Sequence, residues 1–251
     1  MILNEASGGR DMAFFYQDGT QWRASKHLPP PEYCIDDEGL LAFGGEYSVT
    51  CFLEAYRQGV FPWPFSDDEQ SLIPWFCPPQ RFVLKPEDIH ISRSLKRFLN
   101  HCPFEIRIDH AFDDVIGYCA NVTRKDQDGT WITQGIRDTF SALHRMGIAH
   151  SIEAYEHHQL CGGFYGLCIG RVFCAESMFT LTSNAAKSAF ALFALHAARF
   201  GIRLIDCQAE SDHIRRFGAH HIPRNEFLHI LYSNLDLPVS SDLWNQKDRL
   251  V

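Results

Sequence analysis

The sequence predicts an α+β fold whose sheet is mixed but mainly antiparallel. Three observations favour this class. Apolar residues recur at helical spacing in several separate segments. Three strands then come in direct succession, followed by one helix and one further strand. A proline-rich stretch divides a small first region from a larger second one, and 251 residues with 45% hydrophobic content can bury a full core.

The first region is predicted to be a small N-terminal domain over residues 1–79. Its first 30 residues lack periodicity, and we expect residues 1–25 to be disordered. Ser48 is predicted to cap a helix whose apolar residues follow at helical spacing, with Gly59 as its end signal.

The end of this domain is predicted from the stretch Phe61–Gln80. This stretch holds five prolines and two tryptophans, so no regular element is expected in it. The boundary is therefore placed near Pro79, and residues 80–251 form the second domain.

The second domain alternates between helical and strand patterns. Helices are predicted over residues 92–99, 109–120, 133–146 and 184–200, and strands over residues 149–156, 160–169, 171–175 and 203–208. This order of three helices, a β meander, a helix and a strand fits an acyltransferase domain of the GNAT type.

The charge of the chain argues against a protein that coats nucleic acid along its length. The net charge is −8, but residues 81–107 hold six basic and three acidic residues, a local +3 that leaves −11 elsewhere. Arg93, Lys96 and Arg97 belong to this basic segment. It fits a localised contact with phosphates, or an ordinary solvated helix face, and charge alone leaves both open.

The cysteines and the N-terminus predict a cytoplasmic protein. The nine cysteines are an odd number without a Cys-x-x-Cys pair, which favours reduced thiols. Neither a signal peptide nor an apolar run long enough to span a membrane is recognised, so no membrane contact is expected.

Five short strings each combine a buried-looking apolar residue with a polar group that a core disfavours. They are residues 129–133 (GTWIT), 150–153 (HSIE), 173–179 (FCAESMF), 183–187 (SNAAK) and 204–208 (LIDCQ). Isolated polar groups in apolar surroundings are costly unless they are paired or used. The strings therefore predict one polar-lined cavity assembled from strand ends.

Three polar residues in these strings are candidates for chemistry. Asp206 and Gln208 are two apart on a predicted strand and should share a face. The Gln208 amide oxygen could orient an attacking amine, while Asp206 or a water takes the proton. A buried Asp that satisfies backbone amides is the alternative. Glu176 could meet a substrate ammonium group or a structural arginine.

Two tryptophans and the histidines bear on base stacking and on metal binding. Trp63 and Trp131 lie in Pro- or Gly-flanked segments, where they could stack on bases or simply fill the core. The 13 histidines form no metal-binding spacing, so no metal is expected. No serine lies in a nucleophile elbow, and no glycine-rich turn opens a helix as a phosphate loop.

Together the strings resemble the bacterial leucyl/phenylalanyl-tRNA–protein transferases. The match runs from about Gly39 to about Trp244 and includes residues 59–63 (GVFPW) and 90–94 (HISRS). The resemblance implies an enzyme that moves Leu, Phe or, less well, Met from aminoacyl-tRNA to the N-terminal Arg or Lys of a protein. The product carries a degradation signal of the N-degron pathway. The implied fold is a small N-terminal domain plus a GNAT-like domain, without metal or cofactor, and we expect a monomer.

The resemblance also implies roles for particular residues. Trp63 and Trp131 would hold the 3′-terminal adenosine, and Glu176, Asp206 and Gln208 would surround the reacting ester. The pocket for the donor side chain would be lined by Phe164, Phe173, Phe190, Phe193 and Ile205. Arg93, Lys96 and Arg97 would seat the tRNA arm.

The chain departs from the family pattern at several positions. Residues 75–81 read WFCPPQR where relatives commonly show WWSPDPR. Phe164, Phe190 and Ala197 replace an expected Met, Leu and Phe, which leaves the exact donor preference open.

Two other functions compete with this interpretation. One is a CoA-dependent N-acetyltransferase, whose pyrophosphate turn the segment 215–220 (RRFGAH) fails to match at its last position. The other is a non-catalytic adaptor for tRNA or degradation signals, against which the presence of Glu176, Asp206 and Gln208 counts.

Overall fold

The computed structural model describes residues 13–65, 68, 71–121 and 130–245. Within these ranges the chain forms two β-sheets with helices packed on them. The strands of the first sheet are β1 (Phe14–Asp18), β2 (Gln21–Ser25), β3 (Leu40–Gly44), β4 (Phe61–Pro62) and β5 (Pro74–Phe76). They pair antiparallel in the order β2-β1-β3-β5-β4, and α1 (Val49–Arg57) connects β3 to β4.

The second sheet is larger and mixed. Its strands are β6 (Gln80–Leu84), β7 (Glu105–Ile108), β8 (Ala149–Glu156), β9 (Gln159–Ile169), β10 (Val172–Thr180), β11 (Leu204–Asp206) and β12 (His220–Pro223). They are ordered β12-β6-β11-β10-β9-β8-β7, and of these pairs only β10 and β11 run parallel. The predicted α+β class with a mainly antiparallel sheet is confirmed. Whether the second region is GNAT-like stays a prediction.

Several helices pack beside this sheet, and four of those described lie at positions that the sequence predicts. The helices are α2 (Arg93–Leu99), α3 (Phe112–Asn121), α4 (Gln134–Arg145), α5 (Ala185–Arg199), α6 (Asp212–Arg215) and α7 (Arg224–Tyr232). Ser48, Ser92 and Thr133 cap α1, α2 and α4, since each side-chain oxygen accepts a hydrogen bond from the backbone N–H three residues later. Helices α6 and α7, of four and nine residues, are not predicted by the sequence pattern.

The expectation that residues 1–25 are disordered is wrong for residues 14–25. These residues form the β1–β2 hairpin, closed by Gly19 with a φ of 63°. The strand pattern is hidden in the sequence because β2 is exposed along nearly its whole length and shows no apolar alternation. Residues 1–12 lie outside the described ranges.

The stretch Phe61–Gln80 also contains short strands that were not expected. Phe61 pairs with Phe76, and Pro62 pairs with Trp75. Prolines are accommodated here because Pro62 and Pro74 stand at the ends of two- and three-residue strands, where few N–H donors are needed.

Two neighbouring apolar clusters form the core. The first combines side chains from both sides of Pro79; for example, Phe52 of α1 meets Phe140 of α4 edge-to-face at 5.9 Å. The second lies under α5 and includes Phe164, Phe173 and Phe193. The N-terminal region is therefore packed onto the larger sheet, and a domain boundary at Pro79 stays a prediction. No helix in the described ranges is long and apolar enough to cross a membrane.

Candidate active site

A cleft of about 820 Å³ opens where the parallel strands β10 and β11 separate. The two strands pair over only three residues, ending with Cys174 opposite Asp206. Beyond that point Glu176 lies on one side of the opening and Gln208 on the other. The N-terminus of α5 closes a third side, because Gly162 of β9 lets the helix pack directly on the sheet; a Cβ there would lie 2.8 Å from Ala185 Cβ.

Glu176 is directed into the cleft by a β-bulge. Strand β10 pairs with β9 through Ala175 and Ser177, and Glu176 is the extra residue between them. Bulges of this kind re-aim a side chain and are frequent beside active sites. The carboxylate is enclosed: its Oε2 atom is buried and has no hydrogen-bond partner among the described residues.

Gln208 faces this carboxylate. Its Nε2 atom donates a hydrogen bond to Oε1 of Glu176 over 2.6 Å. The donor end of the amide is thereby fixed on Glu176, which leaves the amide oxygen to accept a hydrogen bond from a substrate. Gln208 has a φ of 60°, a left-handed conformation that is unfavourable for a residue with a side chain.

Asp206 lies behind Gln208 and not on the wall of the cleft. Its Oδ1 and Oδ2 atoms accept hydrogen bonds from Nε and Nη2 of Arg81 at 2.8 and 2.6 Å, and both side chains are almost completely buried. Oδ1 also accepts a hydrogen bond from the backbone N–H of Gln208 at 2.9 Å.

The expectation that Asp206 and Gln208 share a strand face is therefore wrong. Strand β11 ends at Asp206, and the left-handed turn at Gln208 directs its side chain towards Glu176. Asp206 faces a buried arginine instead, so a direct role in taking a substrate proton is not supported.

The electrostatics of the cleft centre on Glu176. Burial raises the pKa of Glu176 from 4.5 to about 8; a contact with the Tyr56 hydroxyl opposes this rise, and the negative charge of Asp206 adds to it. A carboxyl group with a pKa near 8 exists in both protonation states near neutral pH, which suits an acid–base role.

Both candidate tryptophans line the cleft. Trp63 and Trp131 are partly buried and keep some surface exposed to it. Trp63 is held by ring contacts with Phe61 and Phe76 at centroid distances of 6.3 and 6.0 Å, and its backbone N–H donates to the Pro74 carbonyl at 3.0 Å. Gly129, in the same string as Trp131, lies outside the described residues.

The apolar end of the cleft contains two of the five predicted pocket residues. Phe164 and Phe190 line it with ring centroids 5.5 Å apart, and Phe217 extends the wall 5.1 Å beyond Phe190. Phe173, Phe193 and Ile205 are fully buried and do not line it, which corrects the expectation for these three residues. The reason is that β10, β11 and α5 direct them into the layer between sheet and helix, where Phe193 supports Phe164 at 5.6 Å.

One of the five strings does not belong to the cleft. Glu153 is fully buried and accepts hydrogen bonds from the backbone of His110 and Ala111 at 3.0 Å and from the Ser151 hydroxyl at 2.6 Å. It holds the segment that leads into α3. Burial raises the pKa of Glu153 to about 7, and these donors oppose the rise. The prediction that all five strings line one cavity is wrong, because this polar group is used structurally.

The basic helix lies outside the cleft. Arg93, Lys96 and Arg97 are exposed on α2. The segment before α2 is attached to the cleft wall, since the backbone N–H of His90 donates to the carbonyl of Phe217 at 2.8 Å. The three cations are thus presented to solvent on an element joined to the apolar end of the cleft.

Sequence reasoning missed the roles of three residues. Arg81 is counted among the cations of the basic segment 81–107. The structure instead buries it, with 1% of its surface exposed. Tyr56, on α1, lies close enough to Glu176 for its hydroxyl to lower the pKa of that carboxyl. Lys187 lines the cleft from the first turn of α5. A cation there opposes the helix dipole, which was an available signal for a functional position.

The described residues contain no cluster of His, Cys, Asp and Glu that could hold a metal. The cleft instead offers an oriented amide, a carboxyl with a raised pKa, two indoles and an apolar end. Such a site can align an amine with an activated ester and move a proton, without a covalent intermediate.

Comparison with known proteins identifies relatives along most of the chain. The family model "Leucyl/phenylalanyl-tRNA protein transferase" matches residues 83–232, and the model of the N-terminal domain of the same transferase matches residues 45–79. The chain is 44% identical over 218 residues to the leucyl/phenylalanyl-tRNA–protein transferase of Yersinia pestis (strain Pestoides F), covering 86% of this chain and 90% of the relative. The transferase of Yersinia pseudotuberculosis serotype O:1b (strain IP 31758) gives the same values.

A solved structure gives a weak match. The crystal structure of a functionally unknown conserved protein from Staphylococcus epidermidis ATCC 12228 aligns with a TM-score of 0.40 and 11% identity over 57% of each chain. A likeness at this level carries no argument about the fold or the function.

Proposed function

The chain belongs to the leucyl/phenylalanyl-tRNA protein transferase family and is an aminoacyltransferase, and we propose its substrates and the roles of its residues as follows. The donor is tRNA charged with Leu or Phe and, less well, Met. The acceptor is the N-terminal Arg or Lys of a protein, which thereby gains a degradation signal of the N-degron pathway. The enzyme acts as a monomer in the cytoplasm.

The observation that carries the proposal is the Glu176–Gln208 pair between two indoles and an apolar pocket. Trp63 and Trp131 provide aromatic faces for the terminal adenine, and base–aromatic stacking contributes about 1–3 kcal/mol per base. The apolar end at Phe164 and Phe190 accepts the donor side chain. The ester between them then lies beside the polar pair.

The reaction is aminolysis of the aminoacyl ester. The nitrogen of the acceptor amine attacks the ester carbonyl carbon, a C–N bond forms, and the C–O bond to the ribose breaks. The Gln208 amide oxygen accepts a hydrogen bond from the amine and orients its lone pair. Holding the two reactants in this geometry can lower the barrier by about 7–11 kcal/mol.

Glu176 is the group that takes the amine proton in this proposal. It lines the cleft, its pKa of about 8 is close to that of an α-amino group, and Asp206 is occupied by Arg81. The ribose oxygen leaves as a hydroxyl after receiving a proton from Glu176 or from solvent. The proton balance therefore closes without a metal or a covalent enzyme intermediate.

Lys187 and the basic helix α2 support binding of the RNA. Lys187 lies on the cleft wall, where a cation attracts the phosphates next to the terminal adenosine. Arg93, Lys96 and Arg97 are exposed and contact phosphates further along the acceptor arm. The rest of the protein is acidic and repels phosphates, so RNA binding is restricted to the side of the protein that carries these cations.

The test is transfer of labelled Phe from Phe-tRNA to two otherwise identical proteins that begin with Arg or with Ala. The proposal expects labelling of the first protein and not of the second. Equal labelling of both, or labelling of neither, would contradict the proposed acceptor class.

A further inference from the structure

The Arg81–Asp206 pair connects the two sides of the cleft, although neither residue lines it. Arg81 is 1% exposed and Asp206 is 0% exposed. Two charges withdrawn from water gain little net stability from their attraction, because both lose their hydration. Nη1 of Arg81 has no hydrogen-bond partner in the described part of the chain, so the pair is not optimised for stability alone.

On one side, Arg81 supports the segment that ends in Trp63. Its guanidinium lies between the rings of Phe61 and Phe227, at 4.6 and 4.5 Å from their centroids. Phe61 begins β4, packs on Trp63 and lines the cleft with it. A change at Arg81 would therefore move the indole that faces the donor.

On the other side, Arg81 fixes Asp206, which in turn fixes the turn at Gln208. Oδ1 of Asp206 accepts hydrogen bonds both from Nε of Arg81 and from the backbone N–H of Gln208. The left-handed φ of Gln208 has to be held by its surroundings. Strand β6, which carries Arg81, adds two backbone hydrogen bonds, from Cys207 to Phe82 at 2.9 Å and from Phe82 to Gln208 at 3.2 Å.

We propose that Arg81 is a positioning residue for the transfer reaction, which sets Gln208 through Asp206 and Trp63 through Phe61. This inference rests on the proposed function and deepens it. Arg81 touches neither donor nor acceptor. Its removal should therefore lower kcat through Gln208, with a smaller rise in the KM for aminoacyl-tRNA through Trp63.

The main test replaces the pair by apolar residues of similar length, Arg81→Met with Asp206→Leu. Such replacements of buried ion pairs often keep or raise stability, so the double variant separates folding from alignment. We expect a thermal midpoint near that of the parent and a kcat about 100-fold lower, as for other misplaced reacting groups. A double variant that folds and transfers at the parent rate would show that the pair is only structural and would overturn the proposal.

A second comparison covers the case in which the double variant does not fold. Arg81→Lys keeps the charge and loses the two-point contact, and Arg224→Met removes another partly buried arginine, whose guanidinium donates to the carbonyls of Pro31 and Pro78. Activity is expressed per folded molecule. We expect Arg81→Lys to lose about tenfold in kcat, while Arg224→Met keeps the parent value; equal kcat values in both variants would overturn the proposal.

The parent enzyme, assayed with the same labelled Phe-tRNA, separates this inference from the proposed function. A parent that transfers nothing to N-terminal Arg contradicts the function. A parent that transfers normally, together with fully active Arg81 variants, contradicts only the positioning role.

Discussion

Nε2 of Gln208 and Oε1 of Glu176 lie 2.6 Å apart and bridge the opening between β10 and β11. Glu176 reaches this position through a bulge, and Gln208 reaches it through a left-handed turn. Two local irregularities in the backbone thus produce one hydrogen bond at the place where the sheet separates. The amide and the carboxyl constrain each other, and both residues line the cleft.

Gln208→Ala should lower the transfer rate by about tenfold or more, because the amine loses the group that orients it. The fold should be retained, since the amide bonds to a side chain at the edge of the cleft. The rate is measured in a single turnover with Phe-tRNA, and folding is checked by circular dichroism. Gln159→Ala, at the exposed start of β9, is the matched control; a Gln208 variant as fast as this control would contradict the role.

Replacing Arg93, Lys96 and Arg97 together by Ala should weaken the use of aminoacyl-tRNA and flatten its salt dependence. The slope of log K against log salt should fall in size by up to about 2–3 for three lost phosphate contacts. A minimal aminoacyl-adenosine donor, which has no phosphate arm, should react as with the parent. Arg23, Lys26 and Arg57 are also exposed and serve as a charge-matched control triple. Equal losses with both donors would mean that the change harms the fold or the cleft.

Lys187→Gln should make the protein slightly more stable and less active. Removing a cation from the first turn of α5 relieves an unfavourable interaction with the helix dipole of about 0.3–1 kcal/mol. The KM for aminoacyl-tRNA should rise, because the cleft loses its cation near the terminal phosphates. Urea unfolding and steady-state transfer measure the two effects. A variant that is less stable than the parent and unchanged in KM would contradict both the expected gain in stability and the binding role of Lys187.

Phe164→Leu should change donor selection, because Phe164 lies on the wall of the apolar end of the cleft. Each buried methylene of the donor contributes about 0.8 kcal/mol, so added space favours the larger Phe over Leu. Ile-tRNA should stay a poor donor in parent and variant, because a β-branched side chain is strained in this pocket. Competition between Phe-, Leu- and Ile-charged tRNA on one acceptor measures the ratios. Efficient Ile transfer by the parent would show that selection occurs elsewhere.

Ala197→Phe is the matched control for this experiment. Ala197 is fully buried on α5 and does not line the cleft. A larger side chain there overpacks the core, with a typical cost of about 1–3 kcal/mol. It should lower stability without a selective effect on one donor, whereas a change in the Phe to Leu ratio would place Ala197 in the pocket.

Helices α1 to α5 could be predicted because their signals are local. Ser92 and Thr133 cap helices where the sequence indicates them, and the apolar spacing that follows fixes the buried face. The exposed hairpin strand β2 gave no such signal, since its pairing depends on backbone hydrogen bonds and not on side-chain alternation.

The site could be predicted as a set of residues but not as a geometry. Glu176 and Gln208 stand out as polar groups in apolar strings, and both line the cleft. The bulge at Glu176 and the early end of β11 depend on how neighbouring strands pair. The sequence of a single strand does not determine this pairing. For the same reason the partner of Asp206 is Arg81, a residue 125 positions away.

In the proposed reaction Glu176 takes the amine proton. The pKa of this carboxyl is raised from 4.5 to about 8 by burial, so it is mainly protonated at pH 7 and becomes a base as the pH rises through about 8. The proton that the folded state holds in this range is absent from the unfolded state. The contribution of Glu176 to folding stability should therefore be greatest below pH 4.5 and should decline as the pH rises to about 8. Glu176→Gln should make that decline smaller.

The most direct measurement is the pH dependence of kcat at saturating acceptor for the parent and for Glu176→Gln. In the parent we expect kcat to rise with pH to a plateau above about pH 8. The Gln variant should be slower by about 100-fold or more, as for the loss of a general base, and should lack the rise that belongs to the carboxyl. The titration of the acceptor amine would appear in both pH profiles, and it can therefore be distinguished from the titration of the Glu176 carboxyl. A Glu176→Gln enzyme with the rate and the pH profile of the parent would show that Glu176 does not take the proton.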